Sequence, residues 1–424
     1  MRVEIHRSEV KGTVVALPSK SYTHRALICS ALARGKSRIL SPLISDDTEA
    51  TCRVLNNLGV DLHKEPELWE VVRGELKKPD SDLYCGESGT TLRFMAAVSA
   101  LVDGKCRLTC GPSLSRRPVG PLIDGLRQLE VDCRSRGGFP PVVVEGKGRI
   151  HGGNVTIPGN ISSQFVSALL LVAPLADPAV SLKLTTPLES KPYVSMTMEA
   201  QRRFGVVVQT SGDMREFQVR RQTYHPTEFA VEGDWSSTAY MLAAGALAGK
   251  VTVHGLNPES LQADQAIIDI LKEMGGDVDL KGATVSVRSS GLNGLEFDMS
   301  DCPDLFPLVS AICAVADGTS VLSSVKRLQY KESDRVVSMV EGLRKMGVKA
   351  TRSEDSVTIV GTNPRGGLID PKGDHRIAMA FSVVGLVAEG KTVIQNAECV
   401  SKSYPGFWDD LEALGVEFGR LGDE

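Results

Sequence analysis

Apolar stretches of helical character along this chain close, six times over, in nearly the same way. The endings are Leu58-Gly59-Val60, Leu129-Glu130-Val131, Phe204-Gly205-Val206, Met274-Gly275-Gly276, Met346-Gly347-Val348 and Leu414-Gly415-Val416. They stand about 70 residues apart, and recurrence at a nearly fixed spacing marks an internal repeat. Each unit opens on small polar or charged residues that run into an apolar helix: Ser19-Lys20-Ser21, Glu87-Ser88-Gly89-Thr90, Ser162-Ser163-Gln164, Trp235-Ser236-Ser237-Thr238, Pro303-Asp304 and Asp374-His375-Arg376. Such openings read as N-caps. A β-rich piece follows, as in Lys250–Gly255 or Lys391–Gln395, and then a second helix. Two further strands, for example Val142–Glu145 and Asn154–Ile157, give the predicted order helix, strand, helix, strand, strand.

Alternation of strands and helices implies an α/β fold. A unit of this length can bury its helices on its own sheet, which favours compact grouping over an open superhelix. The length suits two domains of three units: residues 1–18 with 234–424 as one, discontinuous, and residues 19–233 as the other, crossing within Glu228–Asp234.

Composition narrows the function. Charged residues are 24% and apolar ones 42%, the balance of a folded soluble protein. Lys plus Arg number 48 against 52 Asp plus Glu, so no global positive field exists to hold nucleic acid or an anionic membrane. Met1–Arg7 alternates polar and apolar residues without a signal-peptide core, and the apolar run Ala168–Ala173 is far short of the ~20 residues that span a bilayer. Nine cysteines without a CxxC pair fit reduced thiols in the cytoplasm.

Two nucleotide motifs fail. Gly35-Lys36-Ser37 has Ser30 where a phosphate loop needs glycine, and Gly146-Lys147-Gly148 meets His151 at the third glycine position. Without HExxH or calcium-loop spacing, neither a metal nor another cofactor is expected.

Anion-binding chemistry is the stronger signal. Lys331 and Arg335 stand four apart beside Glu332; an anion between them would reverse their repulsion, although a solvated face with Glu332 and Asp334 as counterions also fits. Pro18–Arg25 packs hydroxyls with Lys20 and Arg25 into an opening turn, where cations oppose the helix dipole and capping alone does not explain them. Arg93, Arg117, Arg376 and Lys402 recur at openings or turns, and Asp304 reads either as an N-cap or as a carboxylate aimed into a cleft. Converging openings would suit phosphorylated, carboxylated metabolites.

In these same motifs the chain resembles the enolpyruvyl transferases, and among them those that act on shikimate 3-phosphate. The matching stretches are Leu17–Ser21 with Thr23-His24-Arg25, Ser88–Arg93, Arg117-Pro118, Ser162–Gln164, Ser190–Tyr193, Lys331–Arg335 and Asp374–Met379. The resemblance implies a two-domain fold, three repeated α/β units per domain around an interdomain cleft. It also implies attack of the 5-hydroxyl of shikimate 3-phosphate on phosphoenolpyruvate with loss of phosphate, by a cytoplasmic monomer whose partners are these small molecules, with no nucleic acid or membrane.

By motif, Lys20, Ser21, Arg25, Ser162, Ser163, Gln164, Ser190, Asp304 and Lys331 would hold shikimate 3-phosphate. Lys20, Gly89, Arg117, Gln164, Arg335, Arg376 and Lys402 would hold phosphoenolpyruvate. Asp304 is similar to the family's base, Glu332 to its proton donor, and Lys20 assists transfer. Glu87 and Arg327 depart from residues common in the family and stand outside this set; Glu87 would alter the charge of the phosphoenolpyruvate pocket. The rival reading is the sister transferase that acts on UDP-N-acetylglucosamine. That enzyme carries a reactive cysteine where Pro112 stands here, with Cys110 close but misplaced.

Overall fold

The computed structural model describes residues 1–421 and has the α/β fold expected from the alternating pattern. Its helices are α1 (Lys20–Leu32), α2 (Asp46–Asn57), α3 (Gly89–Val98), α4 (Gly120–Gln128), α5 (Ser163–Val172), α6 (Lys191–Arg203), α7 (Trp235–Ala248), α8 (Ile267–Glu273), α9 (Phe306–Cys313), α10 (Arg335–Lys345), α11 (His375–Gly385) and α12 (Phe407–Ala413). Two compact units divide the chain: Met1–Leu17 with the chain from Gly233 onward, and Pro18–Glu232. Each holds three four-stranded sheets and its own apolar core.

One plan recurs in all six sheets. In the second repeat the spatial order is Leu83–Tyr84, Asp103–Thr109, Phe139–Lys147, Asp132–Arg136. The first pair is parallel and the others antiparallel, with Cys106 opposite Val144 and Leu108 opposite Val142. A strand therefore precedes the first helix of each unit, and the predicted five-element unit has six. Val142–Glu145 does close the second repeat, but Asn154–Ile157 opens the third, pairing in parallel with Ala176–Leu184 across α5. Local alternation identifies a strand; only the crossover helix decides which sheet receives it.

Distant segments supply the missing strands. Glu228–Ala230 lies parallel to Gly35–Leu40 in the first repeat, and Val10–Val15 parallel to Gly249–His254 in the fourth. Arg2–Ile5 sits between Thr392–Ile394 and Phe418–Leu421 in the sixth.

The repeated endings are left-handed helix stops. Gly59, Gly205, Gly275, Gly347 and Gly415 have φ between 82° and 91°, where a Cβ is disfavoured. In five endings the amide two residues past the C-cap reaches back to the last turn, as from Val206 to the Gln201 carbonyl at 2.9 Å and from Val348 to Leu343 at 3.0 Å. At the second ending Glu130 takes the same conformation at φ 57°.

Burial separates the two helices of each repeat. The first helices are covered nearly all round: every residue of α1 from Tyr22 to Leu32 is buried, and every residue of α9 and α11. Second helices such as α2 and α10 bury one face. Inner helices whose flanks face protein leave their first turns as the place where polar side chains gather. Among the described residues no helix is long and apolar enough to cross a membrane.

Candidate functional site

Predicted site residues gather in two clusters, one within each unit. In the unit that begins at Met1, the centre is Asp304. Of the two readings left open for Asp304, the N-cap is not what the structure gives: Leu305 holds the cap position of α9 without a side-chain bond, and the Asp304 carboxylate turns to cations. Oδ1 meets Lys331 Nζ at 3.0 Å and Arg335 Nη1 at 2.8 Å; Oδ2 meets Arg376 Nη2 at 3.2 Å. Burial alone would raise this carboxyl, but Arg376, Lys331 and Arg335 together hold it well below the usual carboxylate range.

Arg335, 1% exposed, is the hub. Its Nη2 donates to Glu332 at 2.8 Å and its Nε to Asp374 at 2.9 Å. Although burial lowers its affinity for the proton, Asp374, Glu332 and Asp304 more than reverse that. Lys331 follows the opposite balance: burial, helped by Arg335, outweighs Asp304 and brings its ammonium down to about 8.

The two motifs join through Asp374, which caps α11 by accepting from the Arg376 amide at 3.0 Å and also takes the Ser333 hydroxyl at 3.1 Å. Asp334 caps α10. Lys402 lies beside them, its Nζ donating to the Gly373 carbonyl at 2.7 Å. Like charges four apart were the clue in the sequence, but they do not share a helix face: Lys331 lies in the turn before α10, which begins at Arg335, and the carboxylates that hold them come from three different segments.

In the second cluster the buried arginines Arg25 and Arg93 are held by neutral groups. Arg25 donates from Nε to Thr197 Oγ1 at 2.8 Å, from Nη1 to the Ser21 carbonyl at 2.9 Å and from Nη2 to the Tyr193 carbonyl at 2.8 Å. Burial pushes its guanidinium down to about 10. Arg93 bonds Gln164 Oε1 at 2.6 Å, and Gln164 Nε2 donates to Thr90 Oγ1 at 2.9 Å, tying the first turns of α3 and α5 together. Ser162 caps α5, with Ser163 buried behind it. Lys20 pairs with Asp47 at 2.9 Å.

Ser190 stands in the left-handed region at φ 54° before α6, the helix whose first turns supply the Tyr193 and Thr197 partners of Arg25. Gly89 has a physical reason to lack a side chain: a Cβ there would lie 2.9 Å from Arg117 Nη1. Beneath these groups runs a buried chain in which Thr51 Oγ1 bonds both His24 Nδ1, at 2.9 Å, and Thr91, at 2.7 Å.

Both departures have local explanations. Glu87 accepts from the amides of Ser113 and Leu114 at 3.1 and 2.7 Å, so its charge serves the turn that leads to Arg117. Arg327 donates to the Ser300 carbonyl. The Cys110 thiol is pushed up to about 11 by burial and by Glu87, which leaves no nucleophilic thiolate near neutral pH.

Asp47, Thr197, Asp264 and Asp374 are the partners that sequence reading did not assign to the site. Only Asp374 lay inside a recognised motif; the others carry no local pattern. Among the described residues no group of His, Cys, Asp or Glu is placed to hold a metal ion.

Comparison with known proteins places the chain in a family. A family model described as EPSP synthase (3-phosphoshikimate 1-carboxyvinyltransferase) matches residues 5–411. Proteins named 3-phosphoshikimate 1-carboxyvinyltransferase are 44% identical in Dehalococcoides mccartyi, over 98% of both chains, and 40% identical in Methanocorpusculum labreanum, over 98% of this chain and 99% of that protein. The structure of EPSP synthase from Acinetobacter baumannii superposes with a TM-score of 0.82 at 26% identity, covering all of both chains. An enolpyruvyl transferase from Streptomyces tendae, 18% identical with a TM-score of 0.80 over 99% of this chain and 98% of its own, shares the fold. A family match across almost the whole length, together with these relatives, shows that the chain belongs to the EPSP synthase family.

Proposed function

We propose that this enzyme transfers the enolpyruvyl group of phosphoenolpyruvate to the 5-hydroxyl of shikimate 3-phosphate, releasing phosphate, and that the residues named above carry the reaction. The supporting observation is the Asp304 cluster, where one carboxylate meets Lys331, Arg335 and Arg376 at 2.8 to 3.2 Å. Three cations on one carboxylate make a weak base. When the carboxylate and phosphate of phosphoenolpyruvate neutralise Arg335, Arg376 and Lys402, Asp304 regains basicity and accepts the 5-hydroxyl proton. Glu332 delivers a proton to C3, and Lys20 assists at both stages. Lys331, titrating near neutrality, stabilises the oxygen at which negative charge grows. Arg25, Ser21, Ser162, Ser163 and Ser190 supply donors for shikimate 3-phosphate, and Gly89, Arg117 and Gln164 for phosphoenolpyruvate. The enzyme works in the cytoplasm, in keeping with nine cysteines that form no disulfide, and as a monomer.

The sister reaction on UDP-N-acetylglucosamine is disfavoured by Pro112 and by the suppressed Cys110 thiol. The test is phosphate release from phosphoenolpyruvate with each acceptor in turn. Release with shikimate 3-phosphate alone is expected; release only with the sugar nucleotide would overturn the assignment.

A further inference from the structure

Asp264 is a buried acid that the mechanism above leaves unused. It is fully buried in the single turn Ala263–Ala266, far in sequence from every motif, yet Oδ2 lies 4.0 Å from Arg376 Nη1. That same Nη1 faces the Asp304 main-chain carbonyl at 3.4 Å, and Nη2 holds the Asp304 carboxylate. The Asp304 carboxylate thus lies within hydrogen-bond reach of Arg376, and that of Asp264 just beyond it.

Asp264 itself is fixed. Ser236 donates to its Oδ2, and the neighbouring Gln262 clamps the turn to the start of α7, donating to the Gly233 carbonyl at 2.7 Å and accepting from the Trp235 amide at 3.1 Å. Its other oxygen, Oδ1, is buried and no described protein group bonds to it. A buried carboxylate with an unused oxygen costs stability, a cost that calls for a functional reason.

We propose that Asp264 is a positioning residue for Arg376, the counterion that keeps this guanidinium aimed at substrate while Asp304 takes up the hydroxyl proton and releases it. The inference rests on the roles given above to Arg376 and Asp304. When Asp304 becomes neutral its pull on Arg376 weakens, while the fixed Asp264 carboxylate 4.0 Å away keeps its own and so holds the guanidinium in place. The groups that face Asp264 are Arg376 from α11, Asp304 from the turn before α9, Asp234 and Ser236 at the start of α7, and the Cys302 thiol. Burial and Asp304 raise the acid to about 6 against the pull of Arg376, so its charge changes within the range where the enzyme is assayed.

The test compares Asp264→Asn, Ser236→Ala and Arg376→Gln with the unaltered enzyme across pH 5 to 8, with thermal melting alongside. For Asp264→Asn at pH 8, the expected result is a KM for phosphoenolpyruvate raised about tenfold, with kcat changed less than about threefold and an undiminished Tm. The ratio of unaltered to variant kcat/KM, in which the ionisations of the substrates cancel, should fall toward one at pH 5. There the native acid is protonated and resembles Asn. Ser236→Ala, which frees Asp264 from its anchor, should show the same pattern at about threefold. If Arg376→Gln impairs phosphoenolpyruvate binding while Asp264→Asn and Ser236→Ala do not, the inference fails and the site stands. If Arg376→Gln also leaves KM unchanged, the site reading falls and takes the inference with it. A loss in Asp264→Asn that is independent of pH and accompanied by a lower Tm would mark a purely structural residue and likewise overturn the proposal.

Discussion

Arg25 and Arg335 are both almost completely buried, yet their surroundings differ in kind. Arg335 is neutralised by Asp304, Glu332 and Asp374 at 2.8 to 2.9 Å. Among the described residues Arg25 donates to two carbonyls and a hydroxyl, with its guanidinium 5.6 Å above the Phe94 ring. The consequence appears in their protonation: carboxylates raise Arg335 above its ordinary range, while burial lowers Arg25 to about 10. A buried cation held by neutral dipoles is oriented but uncompensated, the state expected of a receptor for phosphate. One tied to three acids is a keystone, and the acids around it are placed for proton chemistry. Arg25 is therefore left without a carboxylate partner among the described residues while Arg335 is balanced internally; in the proposed reaction the first presents its charge to shikimate 3-phosphate and the second yields it when phosphoenolpyruvate competes.

Replacing each arginine by an apolar side chain of similar length breaks this contrast most sharply. Arg335→Met removes the cation that three buried or half-buried carboxylates share, so unfolding in urea should show a loss of about 3–5 kcal/mol together with loss of turnover. Arg25→Met leaves only neutral groups behind; its stability should change by about 1 kcal/mol or less while the KM for shikimate 3-phosphate rises about a hundredfold. Equal stability losses in the two variants would erase the distinction.

A smaller effect concerns pH. Asp264 has a folded-state value near 6, above its ordinary 3.8, so the native state binds its proton more tightly than the unfolded chain does. Its penalty is fully present above about pH 6 and disappears as pH falls from there toward 3.8. Relative to Asp264→Asn, the unaltered protein should gain about 3 kcal/mol across that window in urea titrations. The smallest expected change lies outside both clusters. Glu130→Gly removes a side chain from the left-handed helix stop and should add about 1 kcal/mol or less, with kinetics unaltered, which calibrates how far stability moves when no site charge is touched.

The repeat was legible because each helix stop needs a residue that tolerates positive φ, and glycine supplied five of the six. The opening motifs were legible for a related reason: hydroxyls and cations at a helix start are local signals, and Lys331, Arg335 and Arg376 do meet around Asp304. Asp304 itself was ambiguous, since a carboxylate beside a helix start caps it or leaves it according to what else is near. Asp47, Thr197 and Asp264 were silent, each an ordinary polar residue about 27, 172 and 112 positions from the cation it meets.

The chain's own pattern determined the number of repeats, the alternation of helix and strand, and the residues that mark the family, because periodicity, helix stops and capping act within a few turns of backbone. Tertiary structure decided which strand closes which sheet, with Arg2–Ile5, Val10–Val15 and Glu228–Ala230 completing repeats far from them in sequence. It also decided which buried cations are held by neutral groups and which by a neighbouring acid. That choice depends on burial and on carboxylates brought together only by the packing of separate helices, and electrostatic balance over a few ångströms leaves no trace in residue order.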